Sequence, residues 1–168
     1  MAASALAIPR GAWAGFRIPD RRVRSLSFYN LHTGESLKTV YCENGGYVAG
    51  ALQEINYVLR DFRANEVKPI DPRLLDLLAV LHDRLDTTAP YDVISGYRSP
   101  KTNAMLHASS ESVAVHSLHI EGRAIDIRVP NCDLSTLHNA ALALRAGGVG
   151  YYPSSDFVHV DTGRVRRW

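Results

Sequence analysis

Three residues of this chain are poorly suited to packing and well suited to holding a metal. "HSLHIEGRAIDI", residues 116–127, places His119 and Asp126 on either side of Gly122, and "FVHVD", residues 157–161, carries His159. An apolar strand does not need Asp126, and a solvated loop does not need His119. Side chains alternate along a strand, so in "AIDIRV" Asp126 shares a face with Ala124 and Arg128, while Ile125, Ile127 and Val129 take the other. The same parity sets Phe157, His159 and Asp161 against Val158 and Val160. If the two strands are neighbours, His159 and Asp126 face a common point. His119 then folds back across the Gly122 turn as a third contact.

Two imidazoles and one carboxylate are a normal ligand set for one catalytic zinc ion, with three protein bonds of about 2.0–2.2 Å and a fourth position left for water. Bound zinc lowers the pKa of that water from about 15.7 toward about 7. A nearby carboxylate must then carry its proton to the leaving amine. Asp161 suits that task, two residues from His159 on the same strand face, and Asp156, three residues before His159 and in the turn, is its competitor. His116 adjoins His119 and is assigned a supporting or surface role. His32, His82, His107 and His138 have no partner pattern and read as surface residues.

The elements that must position these groups are legible in outline. "VRSLSFYNLHTGESLKTVYC" reads as a β-hairpin, Val23 to Tyr29 and Ser36 to Cys42, around a turn with Asn and Gly. A helix follows on Leu52, Ile55, Leu59 and Phe62, and a second opens with Asp71 as N-cap and Pro72 in its first turn, its stripe being Leu74, Leu78, Leu81 and Leu85. "YDVISGYRS" is a short strand, Pro100 begins a short helix, and "RAIDIRV" is the clearest strand. A helix from Leu134 to Arg145 precedes a terminal hairpin around "PSS". The expected fold is α+β, a helical first half packed on a small, mainly antiparallel sheet built largely by the second half.

Composition narrows the function classes. With 168 residues, 46% hydrophobic and 21% charged, the chain suits one globular domain, expected over residues 23–168. A net charge of +2, with basic residues scattered except at Arg21, Arg22, Arg24 and Arg164, Arg166, Arg167, shows no nucleic-acid-binding stripe. No segment reaches the roughly 18–20 apolar residues of a membrane span. Cys42 and Cys132 lie far apart and leave their pairing open. "MAASALAIPRGAWAG" ends in Ala-Trp-Ala, so residues 1–22 read as an N-terminal extension or the remnant of an export signal.

"SLHIEGRAID" matches S-x-H-x-x-G-x-A-x-D at Ser117, His119, Gly122, Ala124 and Asp126. This resembles the signature of the D-alanyl-D-alanine metallopeptidase family, whose zinc fold is shared with lysostaphin-type peptidases and the hedgehog domain. "ISGYRSPKTN" resembles the family's upstream block and "GGVGYYPSSDFVHVDTG" its third. "LHTGES", "DFRAN" and the terminal "RRW" extend the likeness, over roughly residues 24–168, toward an exported murein endopeptidase branch. The resemblance implies zinc ligands His119, Asp126 and His159, with Arg98 as the cation for a substrate carboxylate or the tetrahedral oxyanion. Ser117 would orient the site, and Ser95, Tyr97, Asn103 and Tyr151 would support it or touch substrate. Many members place their catalytic acid where Asp156 stands; the branch's His-x-Asp favours Asp161. The implied activity is hydrolysis of peptidoglycan stem-peptide amides in the periplasm or cell envelope. Cross-links of the meso-diaminopimelate 3-3 type are the leading substrate. The alternatives are a D,D- or L,D-carboxypeptidase on the same stems, or a zinc-bearing wall-binding module without turnover. Peptidoglycan is the one partner implied; no sequence feature identifies an adaptor or regulator.

Overall fold

The computed structural model describes residues 22–109 and 113–168, so all but the last position of the 1–22 extension lies outside the described residues. The chain forms β1 (Val23–Asn30), β2 (Ser36–Glu43), β3 (Gly46–Tyr47), α1 (Ala49–Val58), α2 (Pro72–Arg84), β4 (Tyr91–Ser95) and α3 (Pro100–Ser109). A short 3-10 helix, Leu118–Glu121, leads into β5 (Ala124–Arg128), α4 (Leu134–Leu144), β6 (Gly148–Tyr152), β7 (Phe157–Asp161) and β8 (Arg166–Arg167). The strands make one sheet in the order β3-β2-β1-β4-β5-β7-β6-β8. Pairing is antiparallel except between β1 and β4 and between β6 and β8.

The α+β class, the antiparallel majority and the second half's larger share of the sheet hold, but the first half is not only helical. β1, β2 and β3, all from the first half, supply three of the sheet's eight strands. Parallel pairing of Phe28 with Tyr91 brings β1 beside β4 after the chain has run through α1 and α2. The first helix also ends early. Leu59 caps it and its carbonyl accepts from the Tyr97 amide at 2.8 Å, so Phe62 lies beyond the helix and stacks on His32 at 4.3 Å.

α2 begins as its sequence requires, with the Asp71 carboxylate accepting from the Arg73 amide at 3.0 Å and Pro72 in the first turn. Its Leu74, Leu75, Leu78 and Leu81 join Leu137 and Ala141 of α4 over Ile125, Ile127, Val158 and Val160 of the central strands. One face of the sheet is therefore spent on the core. Strand parity sends Ala124, Asp126, His159 and Asp161 to the other face.

Candidate metal centre

β5 and β7 pair antiparallel with Asp126 directly opposite His159 and Ala124 opposite Asp161, the neighbour relation that strand parity required. His119 arrives from the 3-10 helix. Ser117 caps that helix, its Oγ accepting from the His119 amide at 3.3 Å. Gly122 ends it at φ +68, a left-handed conformation that glycine adopts without strain, and so turns the chain into β5 within two residues.

All three side chains are buried, and their ligand atoms converge. His119 Nε2 lies 3.2 Å from His159 Nδ1 and 3.3 Å from Asp126 Oδ1, and His159 Nδ1 lies 2.8 Å from that same oxygen. Tetrahedral zinc with bonds of about 2.0–2.1 Å sets its ligand atoms about 3.3 Å apart, so the triangle fits such an ion with slight contraction.

Proton bookkeeping strengthens the fit. His119 Nδ1 donates to the Gly96 carbonyl at 2.7 Å, because a carbonyl can only accept. His159 Nε2 lies 3.1 Å from Asp161 Oδ2 and donates to it. Each imidazole has therefore committed one N–H outward and turns its other nitrogen inward. Two nitrogen lone pairs and a carboxylate oxygen then face one another, an arrangement that only a cation relieves. A proton can serve: burial works against a charged His159, but Asp126 and Asp161 outweigh it and raise the imidazole to about 9. Burial likewise pushes Asp126 up, and the two histidines more than reverse this, holding it well below the usual carboxylate range.

Asp161 does not have the place expected of a proton shuttle. It is fully buried on the side of His159 away from the ligand atom. Its Oδ1 accepts from the amides of Gly148 and Gly163 and from Arg166 Nη1; its Oδ2 accepts from His159 and, at 2.7 Å, from Arg166 Nη2. Burial is outweighed by these donors, which hold it far below the usual range and leave no free valence for a proton in transit. Asp156 is the exposed acid. It sits at the end of the Pro153–Ser155 turn and accepts from Arg128 Nη1 at 2.7 Å, and Arg128 shares a strand face with Asp126.

Arg98 stands over the centre. Its Nη2 is 3.6 Å from Asp126 Oδ2 and 3.3 Å from Ser95 Oγ, and its Nη1 donates to Asn103 Oδ1 at 3.2 Å. Its Nε is buried and, among the described residues, has no hydrogen-bond partner. Burial lowers the guanidinium pKa, with Asp126 opposing. Asn103 also donates to the carbonyls of Ala114 and Val115, tying α3 to the segment before His119. Ser95 reaches this face through a bulge. Val93 pairs with Ile127 on the core side, and one extra residue in β4 lets Ser95 pair with Asp126.

Two expected contributors lie elsewhere. Tyr97 is buried and donates to Glu66 at 2.7 Å, so it braces the loop before α2 and does not line the site. Tyr151 pairs with Val158 and therefore faces the helices, stacking on His138 at 4.6 Å. His82 and His138, read as surface, are half-buried. The residues that sequence missed are Arg166, behind Asp161, and Trp168, whose ring lies 5.2 Å from that of His159. Both belong to "RRW", which carries no periodic signal.

Comparison with known proteins identifies the family. The family described as peptidoglycan L,D-endopeptidase MepK matches residues 19–168. The chain is 46% identical over 168 residues to "Peptidoglycan L,D-endopeptidase MepK" of Escherichia coli (strain K12), covering 100% of this chain and 91% of that one. It is 41% identical over 162 residues to "Probable peptidoglycan L,D-endopeptidase MepK" of Haemophilus influenzae, covering 96% and 86%. Among solved structures it has a TM-score of 0.38 and 16% identity to Serratia marcescens L-Ala D-Glu endopeptidase ChiX, over 56% of this chain and 68% of that one; an overlap of that size does not establish a common fold.

Proposed function

The chain belongs to the peptidoglycan L,D-endopeptidase MepK family, and from that premise we propose that it is a zinc-dependent murein endopeptidase working in the periplasm. The observation that supports this most directly is the triangle of inward-facing acceptors, His119 Nε2, Asp126 Oδ1 and His159 Nδ1, which would hold the ion. When bound, zinc supplies Lewis acidity, polarising the scissile carbonyl and acidifying water.

The chain's own groups do the rest. Asp156 takes the proton from the attacking water and returns it to the departing amine. Arg128 holds the Asp156 carboxylate by an ion pair of 2.7 Å. Arg98, braced by Ser95 and Asn103, meets a substrate carboxylate or the developing oxyanion. Asp161 holds His159 with its proton on Nε2, as carboxylates behind metal-ligating histidines do. An L,D bond joins the carbonyl of an L centre to the amine of a D centre. In stems that carry meso-diaminopimelate, a 3-3 cross-link is such a bond, and it is the substrate proposed.

The test is digestion of intact sacculi, with and without chelator, beside a His159→Ala control, with fragments read by mass spectrometry. Metal- and His159-dependent loss of 3-3 dimers is expected. Trimming of monomers instead would indicate a carboxypeptidase, and an unchanged profile with zinc bound would indicate a binding module.

A further inference from the structure

The site face of the sheet is flanked unequally. In strand order, Arg98 follows β4 on one flank, and the chain's last residues cover β6 on the other. There the backbone of Trp168 donates to the Val149 carbonyl and accepts from the Tyr151 amide, which lays its side chain over Gly150. Gly150 pairs with His159 across the ladder. Its φ is not positive, so the backbone does not demand glycine; space does. A Cβ at this position would meet the indole at 2.7 Å. The missing side chain lets Trp168 lie down beside the metal ligand.

The indole is fixed by three contacts. Its Nε1 donates to the Tyr152 hydroxyl at 2.7 Å, the Arg166 guanidinium sits 4.8 Å from its ring centre, and His159 is tilted against it at 5.2 Å. Tyr152 in turn stacks on Phe157 at 4.5 Å. A side chain held this firmly would ordinarily be buried, yet Trp168 remains 48% exposed. A rigid, half-exposed aromatic beside a reacting centre gives contact area to a ligand at little entropic cost.

We propose that Trp168 is a positioning residue, whose indole seats the hydrocarbon side chain of the diamino acid next to the scissile amide, while Arg98 holds a carboxylate on the opposite flank. This rests on the endopeptidase reading. Diaminopimelate suits such a pair of flanks, since a chain of methylenes separates its two charged ends. A 3-3 cross-link presents one on each side of the bond.

The experiment is calorimetric binding of a purified 3-3 cross-linked muropeptide dimer to the full chain in chelator, where no turnover occurs. Wild type is compared with Trp168→Ala, Trp168→Phe and Gly150→Ala, which displaces the indole without deleting it. Trp168→Ala and Gly150→Ala should weaken binding about tenfold, the scale of losing a few methylene contacts, and Trp168→Phe should recover most of it. Zinc content after reconstitution should be equal in all four, which a merely structural cover for His159 would not give. Unchanged affinity in Trp168→Ala, or weaker affinity that tracks zinc loss, overturns the inference. Wild type that cleaves sacculi while Trp168→Ala binds normally sinks this inference alone. Wild type that neither binds the dimer nor cleaves sacculi sinks the endopeptidase reading with it.

Discussion

Asp76 and Asp126 are both almost wholly buried, and they are buried for different reasons. Asp76, on α2, receives Arg24 Nη1 at 2.7 Å, the Tyr41 hydroxyl at 3.0 Å and the Tyr47 hydroxyl at 2.6 Å. Those partners come from β1, β2 and β3, so the cluster stitches a helix to the first edge of the sheet. Every neighbour of Asp76 has a proton to give. Asp126 has the opposite company: its nearest nitrogens have each given an N–H to another partner and present lone pairs. Burial of a charge is thus no sign of function by itself. A surplus of acceptors is, because it leaves a place that only a cation fills.

The sharpest way to break that contrast is Asp126→Asn. An amide brings an N–H into the triangle and removes the anionic ligand. Activity on sacculi should fall about 1,000-fold or more, since Lewis-acid stabilisation is worth several kcal/mol. Above about pH 9, where His159 has lost its extra proton, the metal-free variant should melt no lower than metal-free wild type, because the new N–H relieves the crowd of acceptors. A calorimetric melt of both chelated proteins checks this, and a clearly lower melting temperature in the variant would contradict it.

Next in size is Asp156→Asn, which should lower kcat by about 10²–10⁴-fold, the usual worth of a positioned general base, with zinc affinity unchanged. Steady-state rates beside a zinc titration separate this from a folding defect. Asp76→Ala should then do the reverse of Asp126→Asn. It strands the Arg24 cation, whose side chain is only 11% exposed, and should cost about 3–5 kcal/mol of stability in a urea titration. The folded fraction should still bind zinc normally. Loss of zinc there would mean that the two clusters are coupled.

Asp161→Asn tests the acid behind the ligand. Weakening the hold on His159 should reduce zinc affinity about 10–100-fold, and excess zinc should restore most of the rate. Failure of zinc to rescue would return the proton shuttle to Asp161. The sequence made that role plausible because parity does put Asp161 on the site face. Parity could not show that Gly148, Gly163 and Arg166 surround it, since Gly148 comes from the neighbouring strand and the other two follow the end of β7. The same limit explains the other departures. Ser95 reaches Asp126 only through a bulge, α1 stops at Leu59 because a distant amide takes its carbonyl, and β1 enters mid-sheet through a pairing formed across two helices. What was legible was local: the Asp71 cap, the Leu stripe of α2, the Gly122 turn and the alternation that sets Asp126 opposite His159.

The smallest effect separates the two clusters by pH. In the metal-free protein His159 is held at about 9, above its unfolded value of about 6.5. Its protonated form therefore adds stability that is fully present below pH 6.5 and lost as pH rises through 9. The melting temperature of chelated protein should fall across that window by something on the order of 5 °C. Zinc-loaded protein should lack this fall, because Nδ1 cannot bind a proton while it holds the ion. The Asp76 cluster contributes nothing in the same range, since burial pushes the Tyr41 and Tyr47 hydroxyls above their ordinary value of about 10. A fall of equal size in both forms would place the titrating group outside the triangle. One confined to the chelated form would make the proton and the metal rivals for a single place between His119, Asp126 and His159.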